Sequence, residues 1–386
     1  MNRSKNPDAV VHGETIQYPV FISLVLKNRI SLFQFPGSVI HPLRQRSLVM
    51  YIGTQGRFPE DSDLQQLAQL GVNNIDTTPS EPPDEWTTDL LVSYRERCAE
   101  FGIELEMMHV INSGNSLNDP YTGKVFHGPS DDREHQIDLV IEIIKMAGEA
   151  GLRGLNYNAT PLGHMRTTST TGRGGAVLST FDYAELLDQG REGDPPESRL
   201  TDFEGGAADA DEMWERIDHW LQRVIPVAEE YNIQMACHPS DPGIGVGTTY
   251  RGVDRVMGMV EGFKKLIDLY DSPSNGINFC VGCMSEALEN PGEDVYDVIR
   301  YFGERKKIFN LHYRNIRGGL RKFVEVFPDE GDVDMLKVMQ TLKEVDYPHM
   351  IMPDHVPRIS GPEPGKVGFA FTFGYIHAML QAVEAN

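Results

Sequence analysis

The sequence predicts a (β/α)8 barrel, on three observations. From Leu48 onward a short apolar run, a loop and a longer segment of helical spacing recur eight times. Helix-like segments separate the strand-like runs, which implies parallel pairing, and eight such units close a TIM-type α/β barrel. At 386 residues the chain can bury one large core, and α/β barrels commonly exceed the size of an average domain. A doubly wound open sheet is the alternative that the same alternation permits.

Taken in order, the strand candidates are LVMYI (48–52), VNNID (72–76), IELEMMHV (103–110), LRGLNY (152–157), IQMACH (233–238), GINFC (276–280), KIFNLH (307–312) and HMIMP (349–353). Each is a short, mostly apolar run, the pattern of a strand covered on both faces. Helices are expected to begin near Ser62, Thr88, Asp132, Asp209, Gly252, Glu293 and Asp332, with a last one from about Gly368 to Ala385. Several of these starts carry Asp, Ser or Thr, whose side-chain oxygens satisfy the free N–H groups of a first turn. One connection breaks the rhythm: residues 158–208, rich in Gly, Thr, Arg, Asp and Pro, form a long inserted loop after the fourth strand. In a barrel such a loop overhangs the C-terminal face, where active sites lie. Residues 1–47, mixed in polarity and without a sustained period, read as an N-terminal extension of uncertain order, leaving 48–386 as the barrel.

The formal charge is −22, from 57 acidic and 35 basic residues. Binding to a phosphate backbone needs clustered Lys and Arg, so no nucleic-acid partner is expected. No run approaches the roughly eighteen apolar residues of a membrane span, and VFISLVL (20–26) is too short for one or for a signal peptide, so no membrane partner is expected either. Cys98, Cys237, Cys280 and Cys283 make no secretory disulfide framework, which points to a reducing cytoplasm.

Polar residues gather at the C-terminal ends of the strands. His109 follows the third, Tyr157 and Asn158 the fourth, Cys237 and His238 the fifth, Cys280 the sixth, His312 the seventh, and Asp354 and His355 the eighth. In a barrel these ends share one rim, so His238, Cys280, His312 and Asp354 face a common centre despite their separation along the chain. Alone, a strand-end His is more often a hydrogen-bonded structural residue, and a buried Cys more often a small hydrophobe. Together, two imidazoles, a thiolate and a carboxylate make a site for one divalent transition metal, with coordination positions left for substrate oxygens. Cys280 and Cys283 form a C-x-x-C, but a zinc ribbon needs a second pair that the chain lacks. Cys237, adjacent to His238 on its strand, should point to the opposite face and pack outside the barrel wall.

The runs GINFCVGCMSEA, VIRYFGERKKIFNLHYRNI, KFVEVFPDEGDVDMLKVMQTL and MPDHVPR resemble the mannonate dehydratase family, lyases of hexuronate catabolism with a xylose-isomerase-like barrel. LNYNATPLGHMRTTSTTGRGGAVLSTFDY is similar to that family's Y-N-F-x-P-x-x-D-W-x-R-T stretch and its long loop. The resemblance covers essentially Met50 to the C-terminus. It implies Mn²⁺ or Fe²⁺ held by His238, Cys280, His312 and Asp354, and conversion of a small-molecule sugar acid, D-mannonate, to 2-keto-3-deoxy-D-gluconate. His355, beside the ligand Asp354, is then the acid/base candidate, since imidazole is the side chain most easily tuned to neutral pH. Arg166, Arg251 and Arg314 match family arginines whose guanidinium forks suit a planar carboxylate, and Arg314 is grouped with His355 as catalytic. His109 and Asn158 are expected to contact substrate hydroxyls.

The departures from the family lie on the same rim. Where the family has Pro-Gly-Tyr this chain has Val-Gly-Phe, so a phenol assigned to proton transfer becomes Phe369, and Tyr375 lies on another face of the same helix. H-P-D-D-P-P is here HPSDPG, D-W-x-R-T is GHMRT, and R-P-D-H-G-H is MPDHVPR. Three readings compete: a metal-dependent sugar-acid dehydratase, a divalent-metal sugar isomerase or epimerase on the same barrel, and a non-catalytic metal-binding protein. The missing tyrosine favours the second, and the complete ligand set disfavours the third. A phosphodiester nuclease would want more ligands and a basic surface. The inserted loop is long enough to reach a neighbouring subunit in a homo-oligomer.

Overall fold

The computed structural model describes residues 50–57, 59–111 and 119–385, and the N-terminal extension expected from the sequence lies outside them. The chain opens with β1 (Tyr51–Arg57), α1 (Asp61–Gln69), β2 (Asn74–Thr78), α2 (Thr88–Glu100), β3 (Glu104–Ile111), α3 (Asp131–Glu149) and β4 (Gly154–Asn158). An excursion follows, of β5 (Thr167–Thr171), β6 (Val177–Asp182) and α4 (Tyr183–Gln189). The alternation resumes with α5 (Ala210–Glu230), β7 (Gln234–His238), the short strands β8 (Thr249–Tyr250) and β9 (Val253–Asp254), α6 (Val260–Leu269) and β10 (Asn275–Cys280). Next come α7 (Val281–Glu286), α8 (Pro291–Glu304) and β11 (Ile308–His312), then the hairpin β12 (Asn315–Gly319) and β13 (Lys322–Val326). The chain ends with α9 (Met335–Glu344), β14 (Met350–Met352) and α10 (Pro364–Glu384).

Eight strands close a barrel in the order β1-β14-β11-β10-β7-β4-β3-β2, every neighbouring pair parallel. All eight strands expected from the sequence are present, and closure excludes the open sheet. Alternation along each strand divides the core in two. Met107, Ala236, Phe309, Met350 and Met352 form a small cluster inside the barrel, while the large core fills the space between strands and helices. Cys237 belongs to the outer core, as its place beside His238 requires. Gly276 lets strands crowd: a Cβ there would overlap the Phe309 ring.

The helix starts follow the capping logic. Thr87, Ser130 and Asp334 each accept from a first-turn N–H, and Asp209 forms a reciprocal capping box with Glu212. The helix expected near Gly252 is a correction, since it begins only at Val260. Arg251 and Gly252 both have positive φ, 52° and 74°, which closes a two-residue turn between paired Tyr250 and Val253 and cannot start a helix.

The segment 158–208 is more than a loop. Its β5 and β6 join β12 and β13 in a four-stranded antiparallel sheet of order β12-β13-β6-β5. Two excursions distant in sequence, one after β4 and one after β11, therefore build a single structure. Arg358, just past β14, adds a further antiparallel bridge to Val177.

Candidate metal centre and active-site cavity

Register alone brings the site together. Asn158 is the parallel partner of His238, and Cys280 that of His312, each at the last residue of its strand. Asp354 follows β14, whose Met352 pairs with His312. As a result one donor atom from each of His238, Cys280, His312 and Asp354 lies within 4.8 Å of every other, and all four residues are buried. The Cys280 Sγ is 3.4 Å from Asp354 Oδ2, and His312 Nδ1 is 3.5 Å from Asp354 Oδ1.

The remaining polar atoms of these residues are held from behind. His238 Nδ1 is 2.8 Å from the Pro239 carbonyl, which an Nδ1–H satisfies, leaving Nε2 as a lone pair. His312 Nε2 is 3.0 Å from the Asn278 amide, while its Nδ1 is buried with no hydrogen-bond partner among the described residues. Asp354 Oδ1 accepts from Gln55 Nε2 at 3.0 Å. A buried imidazole nitrogen with no well-formed hydrogen bond, 3.5 Å from a carboxylate oxygen and close to a thiol, is the arrangement a cation would complete, so the four residues fit a metal. The electrostatics agree. Burial opposes charge on His312, yet Asp354 and Cys280 outweigh it and push the imidazole up to about 10. Burial likewise opposes charge on Cys280, and the Cys283 hydrogen bond and the Arg314 charge hold its thiol well below the usual range. The negative potential that attracts a proton to His312 is the one a divalent ion would use.

His238, His312 and Asp354 open onto a cavity of about 740 Å³, whose lining includes the polar Gln55, His109, Asn158, His164 and His355 and the apolar Pro79, Pro83, Trp86, Val110 and Phe369. His109 Nδ1 is 3.3 Å from the buried Asp76 carboxylate. Asn158 Nδ2 is 3.2 Å from His238 Nδ1. His355 sits at the edge, its Nδ1 2.8 Å from both Glu325 Oε1 and Arg314 Nη1. Burial lowers the His355 pKa, but the carboxylates of Asp354 and Glu325 outweigh this and raise it to about 9. Phe369 lines the cavity, whereas Tyr375 packs against Tyr313 and is not among the lining residues.

The three expected carboxylate-binding arginines have other surroundings. Arg314 is fully buried, with Nη1 2.8 Å from Glu325 Oε1 and 3.1 Å from Asp241 Oδ2, and Nη2 2.8 Å from Glu286 Oε1. Arg166 shares the same carboxylates, pairing with Asp241 and Glu325. Burial and the nearby Asp241 push Glu286 well above the usual range, while the guanidiniums of Arg166 and Arg314 hold Asp241 and Glu325 below it against burial. Both arginines thus brace the protein's own anions behind His355. Arg251 lies on the β8–β9 turn beside a separate hollow lined by Arg191, Asp194 and Tyr250. Sequence reasoning missed Glu325, Asp241 and His164. Glu325 and His164 stand in the quoted runs KFVEVFP and LGHMRT, and Asp241 in HPSDPG, but nothing local marks them as neighbours.

Comparison with known proteins follows the same lines. A family model for D-mannonate dehydratase (UxuA) matches residues 53–386. A mannonate dehydratase of Lachnoclostridium phytofermentans is 30% identical over 333 residues, spanning 78% of this chain and 88% of that protein. One from Thermotoga petrophila is 27% identical over 353 residues, spanning 83% and 94%. Among solved structures, mannonate dehydratase from Streptococcus suis serotype 2 superposes with a TM-score of 0.68 at 22% identity, over 86% of this chain and 95% of that one. A xylose isomerase domain protein from Planctomyces limnophilus gives 0.56 at 14% identity, over 88% and 100%. The two superpositions show a shared (β/α)8 barrel fold.

Proposed function

The chain belongs to the D-mannonate dehydratase family and is a sugar-acid dehydratase, a hydro-lyase; from that premise we propose that its substrate is D-mannonate or a closely related aldonate, turned over with a divalent ion held by His238, Cys280, His312 and Asp354. The observation that carries the reading is the meeting of those four donors within 4.8 Å beside a cavity whose lining includes His238, His312, Asp354 and His355. Mn²⁺ or Fe²⁺ is the proposed ion, and when bound it would supply Lewis-acid stabilisation of negative charge on substrate oxygens.

The chain's own residues do the rest. His355 moves a proton: Glu325 holds its Nδ1 at 2.8 Å, which leaves Nε2 to exchange with a bound substrate. Arg314 acts through His355 and Glu325 as a positioning residue, and Arg166 supports the same carboxylates. His109 and Asn158 are proposed contacts for substrate hydroxyls, His109 with its Nδ1 3.3 Å from the Asp76 carboxylate. Arg251, outside the cavity lining, is left without a role in this step. The four buried free cysteines suit a reducing cytoplasm. Among the described residues no helix is long and apolar enough to cross a membrane.

Incubating the Mn²⁺-loaded protein with D-mannonate and assaying a 2-keto-3-deoxy acid tests the reading. Phe369 in the cavity wall favours a second one, an isomerase or epimerase that returns the abstracted proton instead of losing water. Solvent deuterium entering the sugar acid with no keto acid formed would select that second reading.

A further inference from the structure

Eliminating water from a 2,3-dihydroxy acid needs two proton transfers. A base takes the proton from C2, and an acid protonates the hydroxyl leaving C3. His355 is one such group. Phe369, which lines the same cavity, has no proton to move, and Tyr375 is not part of the lining.

Among the titratable side chains of that lining, His164 is the one whose ring stands against the His355 ring. Its ring lies 5.4 Å from the His355 ring, edge to face at 81°, and both rings line the cavity that His238, His312 and Asp354 also line. Its side chain is 37% exposed, so the imidazole meets the cavity and is not sealed in the core. The backbone that carries it is fixed by three arginines. Arg191 Nη1 donates to the carbonyls of Leu162 and His164 at 2.8 and 3.2 Å, Arg255 Nη2 to that of Gly163 at 3.0 Å, and Arg166 Nη1 to that of Met165 at 2.9 Å. Met165 N closes the set on the Asp241 carbonyl at 3.0 Å. A segment with no helix or strand of its own is thus held as firmly as one, which is how a proton-transfer group keeps its geometry.

We propose that His164 is the second proton-carrying side chain of this cavity, the base that removes the C2 proton while His355 donates to the departing C3 hydroxyl. The assignment rests on the dehydratase reading above. The C2–H electron pair becomes the new C2–C3 double bond, the C3–O bond breaks, and that oxygen leaves as water with the proton from His355. The resulting enol takes a proton at C3 as its C2 hydroxyl loses one, giving the 2-keto-3-deoxy acid without any further reactant. Burial, only partly offset by the Asp241 carboxylate, lowers His164 to about 3, and the negative charge of a bound carboxylate acts in the same direction as Asp241. One atom each of His164, Asp241 and His355 also lie within 4.8 Å of one another, a spacing that could hold an ion. Arg166 and Arg314 already pair with Asp241, which sets two cations against a third.

The test compares Mn²⁺-loaded wild-type and His164→Asn proteins on D-mannonate in D₂O, following keto-acid formation and deuterium at C2, with bound Mn²⁺ measured for both. We expect His164→Asn to keep its metal content and lose about 10²- to 10⁴-fold in kcat, with KM changed less than about threefold, and to recover at least tenfold in added imidazole. A variant as fast as wild type, a rise in KM alone, or the loss of a second equivalent of Mn²⁺ would overturn the assignment and leave the dehydratase reading intact. Wild-type exchange at C2 that depends on His164, with no keto acid formed, would keep His164 as the base and overturn dehydration. A wild-type protein that neither exchanges nor eliminates would overturn both.

Discussion

Each donor at the rim is an unremarkable residue until its neighbours are known. Cys280 and His312 are parallel partners at the ends of adjacent strands, so removing either opens one side of the donor set. We expect His312→Ala and Cys280→Ala each to drop bound metal from about one equivalent to a small fraction, checked by elemental analysis, and to abolish keto-acid formation with the fold kept by circular dichroism. Arg314 behaves differently. It touches Glu325, Asp241, Glu286 and Cys283 through two nitrogens, and replacing it strands buried carboxylates. Arg314→Met should destabilise the protein by roughly 3–5 kcal/mol in urea unfolding, and Arg314→Lys should recover little, because an ammonium cannot present that planar fork.

Elements decide which of these residues can meet. The strand ends were legible because eight apolar runs alternate with helical segments, and parallel closure puts every C-terminal end on one rim. The second layer was not legible. Glu325 arrives on β13, Arg166 just before β5, and Asp241 just after β7, and the pairing of β13 with β6 is what aligns the first two excursions. The helix misplaced near Gly252 failed for a local reason, since two consecutive positive φ angles make a turn that composition does not announce. Where local chemistry does govern, it can be tested. Asp209 caps α5 in a reciprocal box with Glu212, and Asp209→Ala should cost about 1 kcal/mol by urea denaturation, with metal binding and turnover unchanged.

Stability of the whole molecule carries a pH signature away from the metal centre. His127 is buried against the Phe203 ring, 5.2 Å between centroids, and burial, helped by Arg216, lowers its pKa to about 4. The unfolded chain protonates this imidazole near its ordinary 6.5, and the folded protein does so only near 4. Between those values the unfolded state binds more protons, so stability is lost as pH falls through that window and regained as it rises. The loss attributable to His127 is on the order of 2–3 kcal/mol between pH 6.5 and 4. Thermal or urea midpoints measured across that range should fall less steeply for His127→Asn than for wild type, and an equal slope would remove His127 as the cause.

The sequence by itself determined the barrel, its eight strands, and the four donors His238, Cys280, His312 and Asp354 as neighbours on one rim, because apolar period and strand order are local properties that closure converts directly into position. Folding alone set Arg166 and Arg314 against the protein's own carboxylates, His164 beside His355, and Arg251 apart from both. The physical reason is that a charge is assigned to whichever partner lies within a few ångströms in a low-dielectric interior. Those partners come from excursions whose pairing no periodicity records.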